Sequence, residues 1–279
     1  KMAALAIQAI EAYNETMYRP DPRSLAYPLI ESHAFNVCST LLYLFIVIFA
    51  GPRYMKNRKA FDLRKAIVVY NLTMVVVSAW MVYEFLAAGW ATGYSLTCQK
   101  VDYSTSPKGL RMLRVCYVYW LSKHVEFLDT YFFIARKKTQ QITFLHVFHH
   151  TIMAYTWWYG VKFAAGGLGT FHAPLNSFVH VIMYFYYGMA ALGPTYRKYI
   201  WWKKYVTAIQ LIQFVIIFTH IMNILLFQNC EYPPILKYIV LAYCCSFFVL
   251  FTNFWIQNYS KKSTKNLPSD KEQQRVKAE

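Results

Sequence analysis

The sequence predicts an all-α polytopic membrane protein, seven transmembrane helices forming one domain. Three observations carry that expectation. Of the 279 residues, 57% are hydrophobic and 19% aromatic, far above the share in a soluble domain. Apolar runs of spanning length recur at about 33–51, 66–88, 111–134, 142–160, 171–192, 205–227 and 235–258, each near the roughly twenty residues that a bilayer-crossing helix needs. Basic residues gather in the segments between alternate runs, so that 19 of the 29 Lys and Arg fall on one side of a seven-helix topology.

Residues 1–258 are expected to form a single transmembrane domain. Residues 1–32 precede the first span and carry the sequon Asn14-Glu15-Thr16, which needs a lumenal location to be glycosylated. A basic segment follows the first span (Arg53, Lys56, Arg58, Lys59, Arg64, Lys65), a second follows the third (Arg136, Lys137, Lys138), and a third follows the fifth (Arg197, Lys198, Lys203, Lys204). The tail 259–279 supplies Lys261, Lys262, Lys265, Lys271, Arg275 and Lys277. The positive-inside rule makes this side cytosolic and the N-terminus lumenal. The net charge of +16 is thereby assigned to topology rather than to nucleic acid. Cys98 and Cys230 fall in lumenal loops, where an oxidising compartment permits a disulfide between them. Asn71-Leu72-Thr73 also matches a sequon but lies within a helix. No cleavable signal peptide is expected.

The fourth run contains His146-Val147-Phe148-His149-His150. Histidines at i, i+3 and i+4 share one helix face, and ionisable groups at bilayer depth usually face a cavity where something is bound or transformed. The third run adds Lys123, Glu126, Asp129 and Thr130 within an arc of about 120°. Lys123 needs Glu126 or Asp129 as a partner, because a lone buried charge is costly. A structural ion pair and a pair that orients a catalytic His both fit this pattern.

The fifth run carries a polar stripe of His172, Asn176, His180, Tyr184 and Tyr187. The sixth carries Thr207, Gln210, Gln213 and His220, and the seventh Asn253 and Gln257. Polar groups in hydrocarbon need partners, so these stripes should converge on a shared interior. At 1.5 Å per residue, His149 lies roughly 12 Å and Asp129 roughly 10 Å from the cytosolic side. A site at that depth would be reached past Arg136, Lys137, Lys138, Lys198, Lys203 and Lys204. Those cations could hold a polyanionic headgroup or serve topology alone.

These blocks together resemble the very-long-chain fatty-acid elongases, the 3-ketoacyl-CoA synthases of the endoplasmic reticulum. The resemblance runs through Lys123-x-x-Glu126-x-x-Asp129-Thr130, His146-x-x-His149-His150, Asn176-x-x-x-His180-x-x-Met183-Tyr184-x-Tyr186-Tyr187 and Thr207-x-x-Gln210-x-x-Gln213. Residues 160–167 look most like the branch acting on saturated and monounsaturated chains. The ending Arg275-Val276-Lys277-Ala278-Glu279 is similar to the family's dilysine-type retrieval signals. The resemblance implies condensation of a long acyl-CoA with malonyl-CoA, giving CO2, CoA and a 3-ketoacyl-CoA. It also implies that helices two to seven form a barrel of two inverted three-helix units around a closed-ended acyl tunnel. No cofactor or metal is expected beyond the two CoA substrates. Membrane lipid, other enzymes of the elongation cycle, and homo- or hetero-oligomers are the expected partners.

Soluble condensing enzymes commonly use a Cys thiolate, but Cys116 lies thirteen residues from Asp129, roughly 20 Å along a helix. A neutral imidazole is the better candidate, and His149 is expected to attack the thioester and form an acyl-imidazole. His180 and Asn176 would stabilise an oxyanion or position the malonyl group, and His146, His150 and Asp129 would orient the nucleophile. Thr130, Lys123, Glu126, Tyr184, Tyr187, Gln210 and Gln213 would support them. Two rival classes fit the pattern less well. A membrane di-iron desaturase or hydroxylase uses about eight His in three boxes, whereas this chain has eight His in total and a single box. A transporter often breaks its helices at mid-membrane Gly or Pro, whereas Pro194, Pro233 and Pro234 lie at connections.

Overall fold

A computed structural model describes residues 19–227 and 230–260. The sequon at Asn14 and the tail from Lys261 lie outside the described residues. All regular structure among the described residues is helical. Seven long helices follow in order: α1 (His33–Met55), α2 (Arg64–Trp90), α3 (Pro107–Val125, continued after a tight turn at Glu126 by Phe127–Ala135), α4 (Phe144–Ala164), α5 (His172–Ala191), α6 (Lys203–Phe227) and α7 (Pro234–Trp255).

Four of these helices, α1, α2, α6 and α7, are long and apolar enough to cross a membrane, with mean hydropathy between 1.8 and 2.0. The other three carry the polar stripes, and they supply most of the largest fully buried side chains, among them Trp120, Trp158, Tyr119, Tyr184 and Lys123. Their polar faces are therefore turned to protein rather than to lipid, the arrangement that intramembrane polar groups require. Conversely, Leu41, Phe45 and Phe49 on α1, Val69 and Val76 on α2, Val215 and Leu226 on α6 and Val249 on α7 are exposed. So much uncovered apolar surface would be a liability in water and suits hydrocarbon.

Side-chain caps fix where several helices begin. Ser32 accepts from the Phe35 amide before α1, Ser106 from the Gly109 amide before α3, and Thr143 from the His146 amide before α4. Each satisfies one of the donors that a helix start leaves open. With Pro107 at the first helical position, the Ser106 cap starts α3 four residues before the apolar run suggests. The turn at Glu126 comes from an i,i+3 bond, the Asp129 amide donating to the Glu126 carbonyl at 3.1 Å. It divides the third helix at a charged site residue.

The helices pack as a sequence of neighbours: α2 against α3, α3 against α4, α4 against α7, α7 against α6, α6 against α5, and α5 along most of α2. α1 lies outside that sequence, against α4 and the second segment of α3. At the end of the molecule away from the basic connections, Cys98 and Cys230 form the expected disulfide, joining the α2–α3 connection to the α6–α7 connection. The α4–α5 connection docks on the same place, the Leu168 amide donating to the Gln99 carbonyl at 2.8 Å. That approach uses Gly167 at φ +63° and Gly169, whose missing side chain leaves room for the Tyr232 hydroxyl.

Because the disulfide closes a loop of 132 residues, its loss should destabilise the fold by about 2–4 kcal/mol. A Cys98→Ala, Cys230→Ala double variant should therefore melt at lower temperature in detergent than the oxidised parent. Equal melting temperatures would show that the three connections are held without it.

Candidate active site

The site begins with a charge that has nowhere to go but inward. Lys123 is 1% exposed and Glu126 is 1% exposed. Lys123 Nζ donates to Glu126 Oε1 at 2.8 Å and to Asn176 Oδ1 at 3.2 Å, and it lies 4.3 Å from the centre of the Tyr119 ring. A buried ammonium is tolerable only with such a full set of partners. Of the two carboxylates open to Lys123 in the sequence, Glu126 takes the pairing.

Asn176 is fixed by the same contacts. Its Oδ1 accepts from Lys123 and from the Tyr119 hydroxyl, and because an ammonium can only donate, the amide oxygen must face it. The remaining hydrogen-bonding capacity of Asn176 is its pair of N–H donors. Next along α5, His180 Nδ1 lies 3.4 Å from Glu126 Oε1, a carboxylate-to-imidazole contact. Glu126 Oε2 is buried and has no hydrogen-bond partner among the described residues.

The three histidines of the box do different things. His146 Nε2 lies 2.8 Å from Thr130 Oγ1, which also meets the Tyr43 hydroxyl of α1 at 2.9 Å. His150 is buried, its ring 4.3 Å from His146 and 6.5 Å from Tyr43, with Nδ1 unpartnered. Of the three, His149 lines a central cavity. That cavity is also lined by Met153, Asn176, His172, Gln213 and Phe247, so it opens between α4, α5, α6 and α7. The His149 ring stands 5.0 Å from that of Phe247. Gln213 presents a buried, unpartnered Oε1.

The remaining expected residues are placed as follows. Asp129 accepts a 2.9 Å hydrogen bond from the Tyr184 hydroxyl, so its direct partner is a phenol of α5 and not a histidine of the box. Gln210 contacts Met183 Sδ at 3.8 Å, and Tyr187 is 39% exposed, its ring 6.3 Å from that of Tyr184. Arg136, Lys137, Lys138, Lys198, Lys203 and Lys204 lie at one end of the bundle. Lys137 donates to the Lys56 carbonyl, while Lys198 and Lys204 lie over the rings of Tyr199 and Tyr205. Asn253 and Gln257 do not join the interior. They hydrogen-bond each other at 3.1 Å on an exposed face, because they lie near the end of α7, where polar groups need no internal partner. His33, His124 and His220 are each occupied structurally, by Tyr159, by Ser39 and Trp120, and by stacking on Phe171.

Three contributors to the site, and Tyr243 on the cavity wall, carry little or no signal in the sequence pattern. Tyr119 stands four residues before Lys123 and could have been read as part of its stripe. Tyr43, Phe247 and Tyr243 sit among many aromatic residues on apolar helices, where nothing in spacing separates a site residue from packing.

The family model described as ELO, the GNS1/SUR4 family, matches residues 28–267, and the chain belongs to this family. It is similar to very long chain fatty acid elongase 7 of Rattus norvegicus, 50% identical over 258 residues that cover 92% of each chain. It is also similar to very long chain fatty acid elongase 1 of Homo sapiens, 48% identical over 253 residues covering 90% of this chain and 91% of that protein. The protein called very long chain fatty acid elongase 7 of Drosophila melanogaster is 45% identical, over 91% of this chain and 77% of its own. With the family established, the bundle is that of a multi-pass membrane protein.

Removing one member of the buried pair strands the other. Glu126→Leu or Lys123→Met should each cost about 3–5 kcal/mol, and the double variant should recover most of that loss. Thermal unfolding in detergent measures all three. A double variant no more stable than the singles would mean that the pair is not a self-contained ionic unit.

Proposed function

We propose that this protein condenses a long-chain acyl-CoA with malonyl-CoA, releasing CO2 and CoA and leaving a 3-ketoacyl-CoA two carbons longer, the first step of fatty-acid elongation. The observation that carries the reading is the shared cavity of His149 and Asn176: a histidine ring with no hydrogen-bond partner among the described residues faces the space to which an amide has only N–H donors left to offer. Family membership supplies the substrate class.

The chemistry runs in two halves. A His149 ring nitrogen attacks the thioester carbonyl, the C–S bond breaks, and CoA leaves with the proton that the imidazole sheds, giving an acyl-imidazole. Malonyl-CoA then loses CO2, the electron pair of the broken C–C bond forming an enolate. The enolate carbon attacks the acyl carbonyl, the C–N bond breaks, and the imidazole departs, regaining a proton from water. The Asn176 N–H groups donate to the oxygen that becomes negative, and His180, steadied by Glu126, stands one helical turn further along the same face. His146 and His150 support the nucleophile from behind, through Thr130 and Tyr43. Gln213 completes the cavity wall, and Asp129, Tyr184, Gln210 and Tyr187 would support the site from outside it.

The closed order of helix neighbours supports a six-helix barrel with α1 outside it. Exchanging α2, α3 and α4 for α5, α6 and α7 leaves that order unchanged, as two equivalent units would require. Three helices per unit make the two units run in opposite directions. Basic residues at one end and the disulfide at the other favour a cytosolic mouth and a lumenal closed end, with CoA phosphates on Arg136, Lys137, Lys138, Lys198, Lys203 and Lys204. On this reading the protein sits in the endoplasmic reticulum, N-terminus lumenal and C-terminus cytosolic, and acts on saturated or monounsaturated chains beside the other enzymes of the cycle. Asn14 is its proposed glycan site.

With a long acyl-CoA and no malonyl-CoA, the wild-type protein should release up to one CoA per site, and His149→Ala should release none. Asn176→Ala should slow condensation by about 10²–10³, the usual cost of an oxyanion donor. CoA released only after malonyl-CoA arrives would sink the acyl-enzyme and leave the histidines as acid–base groups in a direct attack.

A further inference from the structure

A second cavity lies beyond the first, toward the disulfide end. It is lined by Gly160, Ala164 and Thr170 and by the apolar side chains of Leu236, Ile239 and Val240. The two cavities share two lining residues, His172 and Tyr243. Those two are hydrogen-bonded to each other, the Tyr243 hydroxyl 3.0 Å from His172 Nε2, and Trp157 Nε1 also donates toward that nitrogen at 3.2 Å, so the two donors share its single lone pair. Trp157 belongs to α4, His172 to α5 and Tyr243 to α7. α4 and α5 are opposite members of the six-helix neighbour order, so the group is a polar bar across the interior. All three residues are buried. The reaction assigned above uses none of them, and a polar bar in an otherwise apolar passage costs more than an apolar filler unless it has a task.

We propose that the His172–Tyr243 hydrogen bond, braced by Trp157, is a partition that sets acyl-chain selectivity: short chains fit in front of it, and longer chains must part it to reach the second cavity. This rests on the elongase reading. Trp157 is eight residues past His149 and Ala164 fifteen, or roughly 12 Å and 22 Å along α4. A chain attached at His149 therefore meets the bar about midway. Parting it costs one hydrogen bond, partly regained if the Trp157–His172 bond persists. The cost falls only on chains long enough to cross, so the bar biases the enzyme against them without touching the reacting atoms. His172 and Tyr243 are thus selectivity residues and not catalytic ones.

The test compares kcat/KM across acyl-CoA substrates from octanoyl- to docosanoyl-CoA in three full-length proteins. In Tyr243→Phe, which keeps the ring and loses the hydroxyl, the ratio of long-chain to short-chain kcat/KM should rise about three- to tenfold, the range that one lost hydrogen bond gives. In Gly160→Phe, which fills the second cavity where an added Cβ has only Trp157 nearby at 3.8 Å, long-chain activity should fall while short-chain activity persists. If Tyr243→Phe scales all lengths by one factor while Gly160→Phe still discriminates, the bar is scaffold: the partition is overturned and the tunnel stands. If Gly160→Phe also fails to discriminate, no chain reaches the second cavity, which again overturns the partition. If the wild-type protein extends no acyl-CoA, the elongase reading falls and takes the partition with it.

Discussion

Everything in the interior is arranged around one buried ion pair. Lys123 and Glu126 are almost fully withdrawn from solvent, in a region where water cannot be borrowed as a partner. Satisfying them recruits Tyr119, Asn176 and His180, which ties α5 to α3 across the interior and fixes the rotation of both. The cost of two buried charges is large enough that few alternative packings remain competitive. The pair also dictates which way the Asn176 amide points, and so which atoms it can offer to a substrate. A structural constraint and a catalytic one are met by the same contacts.

The remaining polar groups are graded by how completely they are satisfied. Thr130, Tyr43 and His146 close on one another, as do Asp129 and Tyr184. Unpartnered atoms among the described residues include Glu126 Oε2, His150 Nδ1 and Gln213 Oε1. Buried polar atoms without partners are uncommon in folded proteins, and Gln213 Oε1, on the wall of the cavity that His149 faces, is one that a bound substrate can partner. His149, facing that cavity with an aromatic neighbour and no fixed hydrogen bond, is the member of the box free to react.

The helix count and the polar faces were legible because both are periodic. Spanning runs show themselves by length, and the stripes on α3, α4 and α5 by spacing. Topology put Cys98 and Cys230 in lumenal loops and so allowed their bridge, but only the packed connections show that they meet. Periodicity gives a face but not a partner, and this is where sequence reasoning stopped. It placed Asp129 near the box by depth, whereas the side chain turns to Tyr184. It grouped Asn253 and Gln257 with the interior, whereas they pair on an exposed face near the end of α7. It chose His149 over His150 as the nucleophile without a packing reason, and the packing of α1 through Tyr43 and of α7 through Phe247 is what distinguishes the two. The bar formed by Trp157, His172 and Tyr243 was hidden for a related reason, since two of its members are aromatic residues among many on oily helices.

The account stands or falls on His149 as the acylated atom. The most direct measurement is intact-mass and peptide mapping of the protein quenched after mixing with a long acyl-CoA alone. The account predicts one added acyl group per chain, carried on His149 and discharged when malonyl-CoA is supplied. An acyl group found on His150, His146 or a cysteine, or no adduct at all while condensation proceeds normally, would contradict it.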